Sequence, residues 1–169
     1  STRWQITTPL IGAQPIAAVS TTQQHPLGKI VQAVDRGANA NGEGEFIYLL
    51  GVASTVVGSI VTFDASTYQT VLSAVGGNIP RPIAVAMSAN VATQYGWYQI
   101  SGQAVCAKTC TVSLAAGAAV GVLTTGLIAG TGSGKEIQGA AVAAVASAAS
   151  GRTTVLVAIN RPVKQGRIT

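Results

Sequence analysis

The 169-residue sequence predicts an all-β protein: a single β-barrel or β-sandwich domain preceded by an extended N-terminal arm. Three observations predict it. Apolar runs of strand length recur between Gly-rich and polar turns, with a turn about every ten residues, as in barrels and sandwiches. The bulk is small, with 28 Ala and 20 Gly against eight aromatic residues, a mixture that brings backbones close and suits strands and flat interfaces. Three of the six prolines stand within the first 27 residues.

Pro9, Pro15 and Pro26 disfavour helix at and before each site, so residues 1–27 read as the extended arm. The arm nevertheless carries Trp4, Ile6, Leu10, Ile11 and Ile16. No local core is expected to bury Trp4, Ile6, Leu10 and Ile11. They are therefore expected to dock across a neighbouring copy or the surface of the partner beneath, with Trp4 as the main anchor and Arg3 pairing with an acid beneath.

The body, residues 28–163, reads as a series of strands. Apolar runs cover Lys29–Asp35, Glu45–Ala53, Ser59–Phe63, Gln69–Leu72 and Arg81–Met87. Tyr95–Lys108, Val120–Thr124, Glu136–Ala146 and Thr153–Asn160 continue the series. The Ala-rich stretch 139–150 has helical propensity, but its uniform apolar pattern does not arbitrate, and it is assigned to strand. An internal echo links GVASTVVGSIVTFD with the later IAVAMSA, and TCTVSLAAGAAVGVL with the later IQGAAVAAVAS. An old duplication and chance similarity in a biased composition both account for it. Residues 164–169 form a basic tail.

Charged residues are only 9% of the chain, ten bases and five acids, against roughly 25% in a typical soluble domain. A monomer of this size exposes on the order of 7,700 Å². So few charges on that surface imply that copies or partners cover much of it. Disorder is excluded, because so apolar a chain collapses. The uncharged stretches Thr109–Gly134 and Phe46–Phe63 are long enough to span a membrane, but Gly, Ser and Thr interrupt them and no membrane partner is expected. No basic-led apolar segment opens the sequence, so synthesis in a cytoplasm is expected. The surplus positive charge sits late, at Arg152, Arg161, Lys164 and Arg167. Without interleaved aromatics these bases do not make a nucleic-acid motif, and an acidic protein surface or plain solvation fits them better.

Catalytic patterns fail one by one. His25 is the single histidine and reads as a turn residue before proline; no metal, cofactor or small-molecule substrate is expected. Cys106 and Cys110 are spaced as C-x₃-C, not as zinc or thioredoxin pairs, and read as two buried thiols. GTGSGKE lacks the first glycine and the final Ser/Thr of a phosphate loop, since Ala129 and Glu136 occupy those places. Glu43 and Glu45 point the same way from one strand, which is wrong for carboxylates facing each other across a substrate. An enzyme is not expected. Tyr95 and Trp97 share one strand face and Tyr98 takes the other. Core packing and a sugar- or protein-binding patch are the two readings of this trio, packing being favoured.

HPLG (25–28), GEGEFIYLLGVAS (42–54), the run 83–89, YGWYQISGQAV (95–105) and TVLVAINRPV (154–163) resemble the small capsid cement, or head decoration, proteins of tailed bacteriophages. That resemblance implies a β-rich structural protein, commonly a homotrimer, on the outer surface of a virion, clamping neighbouring subunits of the major capsid protein. The interface residues expected on this reading are Arg3, Trp4, Ile6, Leu10, Ile11, Arg161, Lys164 and Arg167. The alternative is a tail-fibre or adhesion module that holds carbohydrate on exposed aromatics.

Overall fold

Most of the predicted runs are strands, with burial alternating in runs such as 30–35 and continuous in runs such as 60–63, and the chain is all-β. The computed structural model describes residues 3–38, 41–76, 79–144 and 150–166, with no helix among them. Its strands are β1 (Trp4–Ile6), β2 (Val19–Ser20), β3 (Ile30–Asp35), β4 (Glu43–Leu50), β5 (Ile60–Phe63) and β6 (Thr70–Leu72). They continue with β7 (Ile83–Ala86), β8 (Tyr95–Ala107), β9 (Ala119–Thr124), β10 (Leu127–Gly130), β11 (Glu136–Val142) and β12 (Thr154–Lys164). All belong to one antiparallel sheet, which is open and runs β1-β3-β4-β8-β12-β11-β9-β10, with β2, β5, β6 and β7 joined to its flank. Within the stretch 139–150, Gly139–Val142 is strand, while residues 145–149 lie outside the described set.

β8 is the axis. On one edge its residues Tyr95–Ser101 pair with β4. On the other edge β2 meets Tyr95 and Gly96, β7 meets Tyr98 and Gln99, and β12 meets Ser101–Ala107. Such small residues as Gly96, Gly102 and Ala104 let four strands approach one backbone.

The internal echo coincides with a repeated pairing scheme. β5 pairs with β6 and β7, and β7 pairs with β8. Likewise β9 pairs with β10 and β11, and β11 pairs with β12. Matching parallel bridges, Leu50 with Gln69 and Lys108 with Ile128, open the two units. The first four strands follow the same plan in part, since β1 pairs with β3 and β3 with β4. The three fourth strands, β4, β8 and β12, lie side by side.

Three apolar clusters stabilise the sheet. One joins Trp4, Ile16, Val31, Phe46, Tyr48 and Trp97. A second, on the opposite side of β4 and β8, joins Ile47, Leu49, Val61, Phe63, Tyr98 and Ile100. The third takes the other face of β5 and β7 and binds it to β9–β12 through Ile60, Val85, Val122, Ile137 and Val157. β5 and β7 are consequently buried along their whole length.

Two expectations are corrected here. The final strand does not stop at Asn160. It passes through Pro162 to Lys164, because Arg161 adopts a left-handed turn at φ +43° and Val163 then pairs with Gln138 and bridges to Pro82. Nor is the arm without a local core: β1 adds to β3 and Trp4 packs edge-on against Phe46, ring centroids 5.0 Å apart.

Candidate interaction surface

What ties the arm to the body is a buried amide. Gln14 packs over the paired strands β4 and β8, and every polar atom it carries is used. Its backbone N–H donates to His25 Nε2 (3.0 Å) and its backbone carbonyl accepts from Trp97 Nε1 (2.9 Å). Its side-chain Nε2 donates to the carbonyls of Ala18 and Tyr95, and its Oε1 accepts from the Tyr48 hydroxyl at 2.6 Å. Buried polar groups satisfied this completely specify one docking geometry. The start of the arm is fixed separately. Asp35 is buried at the end of β3 and accepts from Arg3 Nε at 2.9 Å and from the backbone N–H groups of Gly37 and Asn41. Burial alone would raise the Asp35 pKa, but Arg3 and the two backbone donors hold it below the usual carboxylate value.

His25 is therefore not a loose turn residue. It is buried, edge-on to Tyr48 and tilted over Trp97. Burial first, and the nearby charge of Lys29 second, push its pKa below the ordinary histidine value. Neutral His25 accepts the Gln14 N–H; protonated, it cannot. The unfolded chain takes up that proton near pH 6.5, so unfolding binds protons and stability falls as pH drops below about 6.5. The thermal midpoint is expected to fall between about pH 7 and pH 5, and His25→Gln, which keeps an acceptor, should flatten that step. Asp35 contributes only further down, below its unfolded value near 4.

The residues expected at an interface are dispersed. Trp4 is buried in the chain's own core, and Ile6 and Leu10 lie half-buried against it. Ile11 alone of the four is fully exposed. Arg3 pairs within the chain. Arg161 donates from Nε and Nη2 to the two carboxylate oxygens of Glu45 at 3.3 and 3.2 Å. Lys164 is buried at the end of β12 and is not part of a solvated tail. Arg167 lies outside the described residues.

Of the aromatic trio, Trp97 and Tyr98 are fully buried in different clusters and Tyr95 is half-buried. They offer no flat platform for a sugar. Both cysteines are free, Cys106 buried with its thiol pushed up to about 12 by burial, Cys110 exposed, which corrects the expectation of two buried thiols. Lys135 of GTGSGKE ends a turn between β10 and β11, its N–H donating to Gly132 O. Glu43 and Glu45 border a shallow polar hollow of about 230 Å³ with Gln32 and Ser101. Among the described residues, no three His, Cys, Asp or Glu side chains gather as a metal site, and no helix is long and apolar enough to cross a membrane.

Exposed aliphatic side chains are what sequence reading missed. Val56, Val57, Val71 and Ile79 are all more than half exposed, with Val105 and Leu123 close behind. Val57 and Val105 line an apolar groove of about 240 Å³ with Trp4, Ala17 and Met87, alongside the edge strand β1. Val71 and Ile79 flank a second cleft that ends on Lys164. Strand alternation could have found Val105, whose neighbours in sequence are both buried, and Val71, which follows buried Thr70; Val56 and Val57 sit in a loop where no period applies. Compared with family models, with curated proteins and with solved structures, the chain gives no match.

Proposed function

We propose that the protein is a structural component of a phage virion, a homotrimer seated on the outer face of the capsid, where it clamps neighbouring major capsid subunits. The observation that carries this reading is the surface. Fifteen charged side chains serve 7937 Å² of accessible area, and large aliphatic residues stand out of it on several sides. Surfaces this poor in charge and rich in exposed apolar groups mark places where another protein sits. The resemblance of residues 25–163 to capsid cement proteins supplies the kind of partner. A shell also rewards such a surface, because many modest contacts repeated across a lattice sum to firm attachment. The carbohydrate-binding alternative finds no support in the buried positions of Trp97 and Tyr98.

The test is direct. Purified protein mixed with shells lacking their outer proteins should sediment with them, and light scattering should give the mass of three chains. Val57→Asp, placing a charge in the groove beside β1, should reduce co-sedimentation while leaving the circular dichroism spectrum unchanged. A stable monomer that leaves shells bare overturns the proposal.

A further inference from the structure

Lys164 is in an unusual position for an ammonium group. It is only 7% exposed, and its Nζ donates to one acceptor, the Ala74 carbonyl, at 2.7 Å. A lysine has three protons to donate and a charge to compensate. Among the described residues no carboxylate does this. Asp35, Glu45 and Asp64 pair with Arg3, Arg161 and Arg81, and Glu43 borders the separate hollow with Gln32 and Ser101. Glu136 precedes Ile137, the residue paired with Lys164, and strand alternation turns it to the other face. Residues 74–80, which follow β6, include no acid. Burial, unopposed by any acid, holds the Lys164 pKa below the ordinary lysine value.

Beside this ammonium lies a cleft of about 200 Å³, lined by Thr62, Val71, Leu72, Ile79, Arg81 and Lys164. Its walls are aliphatic, and its second cation, Arg81, stands at the half-exposed rim, 3.5 Å from Asp64. We propose that the cleft binds a carboxylate carried on a short aliphatic chain, with Lys164 at the floor as its ion-pair partner and Arg81 at the rim. Such a ligand gives the ammonium the acceptors and the countercharge it lacks, where an unpaired buried charge is costly. Its methylene groups meet Val71, Leu72 and Ile79. Two sources carry this chemistry, a free short-chain acid and a glutamate side chain of a partner. The inference is independent of whether the protein decorates a shell.

Amide chemical shifts of the full chain, titrated with butyrate and with the peptide acetyl-Ala-Glu-Ala-amide, test it. At least one probe should produce saturable shifts around Thr62, Ala74 and Arg81, and the tighter of the two identifies the source. Butyramide and the Gln-containing peptide should bind at least about tenfold more weakly, the loss expected for a charge-assisted hydrogen bond. Lys164→Met should abolish the shifts. Arg81→Gln, at the exposed rim and safe for folding, should weaken binding several-fold and carries the test if the first variant misfolds. Absence of saturation with both carboxylates, equal binding of the neutral counterparts, or wild-type binding by the folded variants overturns it.

Discussion

Deleting residues 1–20 is expected to destabilise the whole β body by about 4 kcal/mol or more, seen as a large fall in the urea midpoint. The deletion removes Trp4 and Ile16 from the cluster they share with Phe46, Tyr48 and Trp97. Each such side chain contributes about 1.5–3 kcal/mol through burial. It also takes away Gln14, so the Tyr48 hydroxyl and the Trp97 N–H lose their partners while their rings face water. Against a total stability of about 5–15 kcal/mol the effect decides whether the protein folds. An extended arm reaching for a neighbour would be dispensable to the isolated chain. Gln14→Leu separates the two contributions: it keeps the apolar contacts and the backbone carbonyl that Trp97 uses, but strands the Tyr48 hydroxyl and the Ala18 and Tyr95 carbonyls around an apolar group. An unchanged midpoint in the truncated protein would show that the arm contributes nothing to the fold.

Gly102→Ala should be the most damaging single methyl addition on β8, costing more than about 3 kcal/mol and lowering soluble yield. Gly102 has φ +98°, a conformation that side chains rarely adopt, and a Cβ there would stand 2.4 Å from the Glu43 carbonyl oxygen. Because that obstacle is backbone, β4 would have to move, and with it the clusters on both its faces. The next repeat offers the contrast. Arg161 occupies the corresponding left-handed kink of β12, at φ +43°, with its guanidinium out on Glu45. Arg161→Gly should leave the thermal midpoint within about 4 °C of wild type, since an exposed ion pair is weak and relief of the strained backbone offsets it. Thermal denaturation of the two variants side by side checks both numbers. If Gly102→Ala melts with wild type, β4 is free to yield and the tight pairing argued for β8 fails.

Strand character was legible wherever side chains alternate. β3 buries Val31, Ala33 and Asp35 in alternation with exposed Ile30 and Gln32 and half-buried Val34, and a period of two is enough to read it. The long run 95–107 declared itself equally well. β1, β2 and β10 are not legible: β1 and β2 are two or three residues inside the proline-rich arm, and β10 is a short run ending on Gly130 in a Gly-rich stretch. β12 was cut short at Asn160, since Pro162 argues against a strand, and only the kink at Arg161 lets it continue. The arm's docking was hidden for a different reason. Trp4 meets Phe46, and Gln14 meets Tyr48 and Trp97, partners far away in sequence, so a segment that looks partnerless locally is complete in three dimensions. Lys164 was read as part of a basic tail on charge alone. Nothing in RPVKQGR announces that the fourth of these residues turns inward beneath β6.

The pairing of β8 has a consequence for how the chain must be made. During synthesis from the N-terminus, β4 is already present when Tyr95–Ser101 emerges and covers that half of the strand at once. The half from Ser101 to Ala107 must wait for β12, while the whole of β9–β11 is still being translated. For that interval it is an open strand edge with Val105 and Cys106 on its two faces, the kind of template on which nascent chains join one another. Ser101, Gln103 and Lys108 break its apolar run and act as gatekeepers. Crowded expression of a chain halted before residue 154 should accordingly yield aggregates, and translation of β12 releases the protein from that hazard.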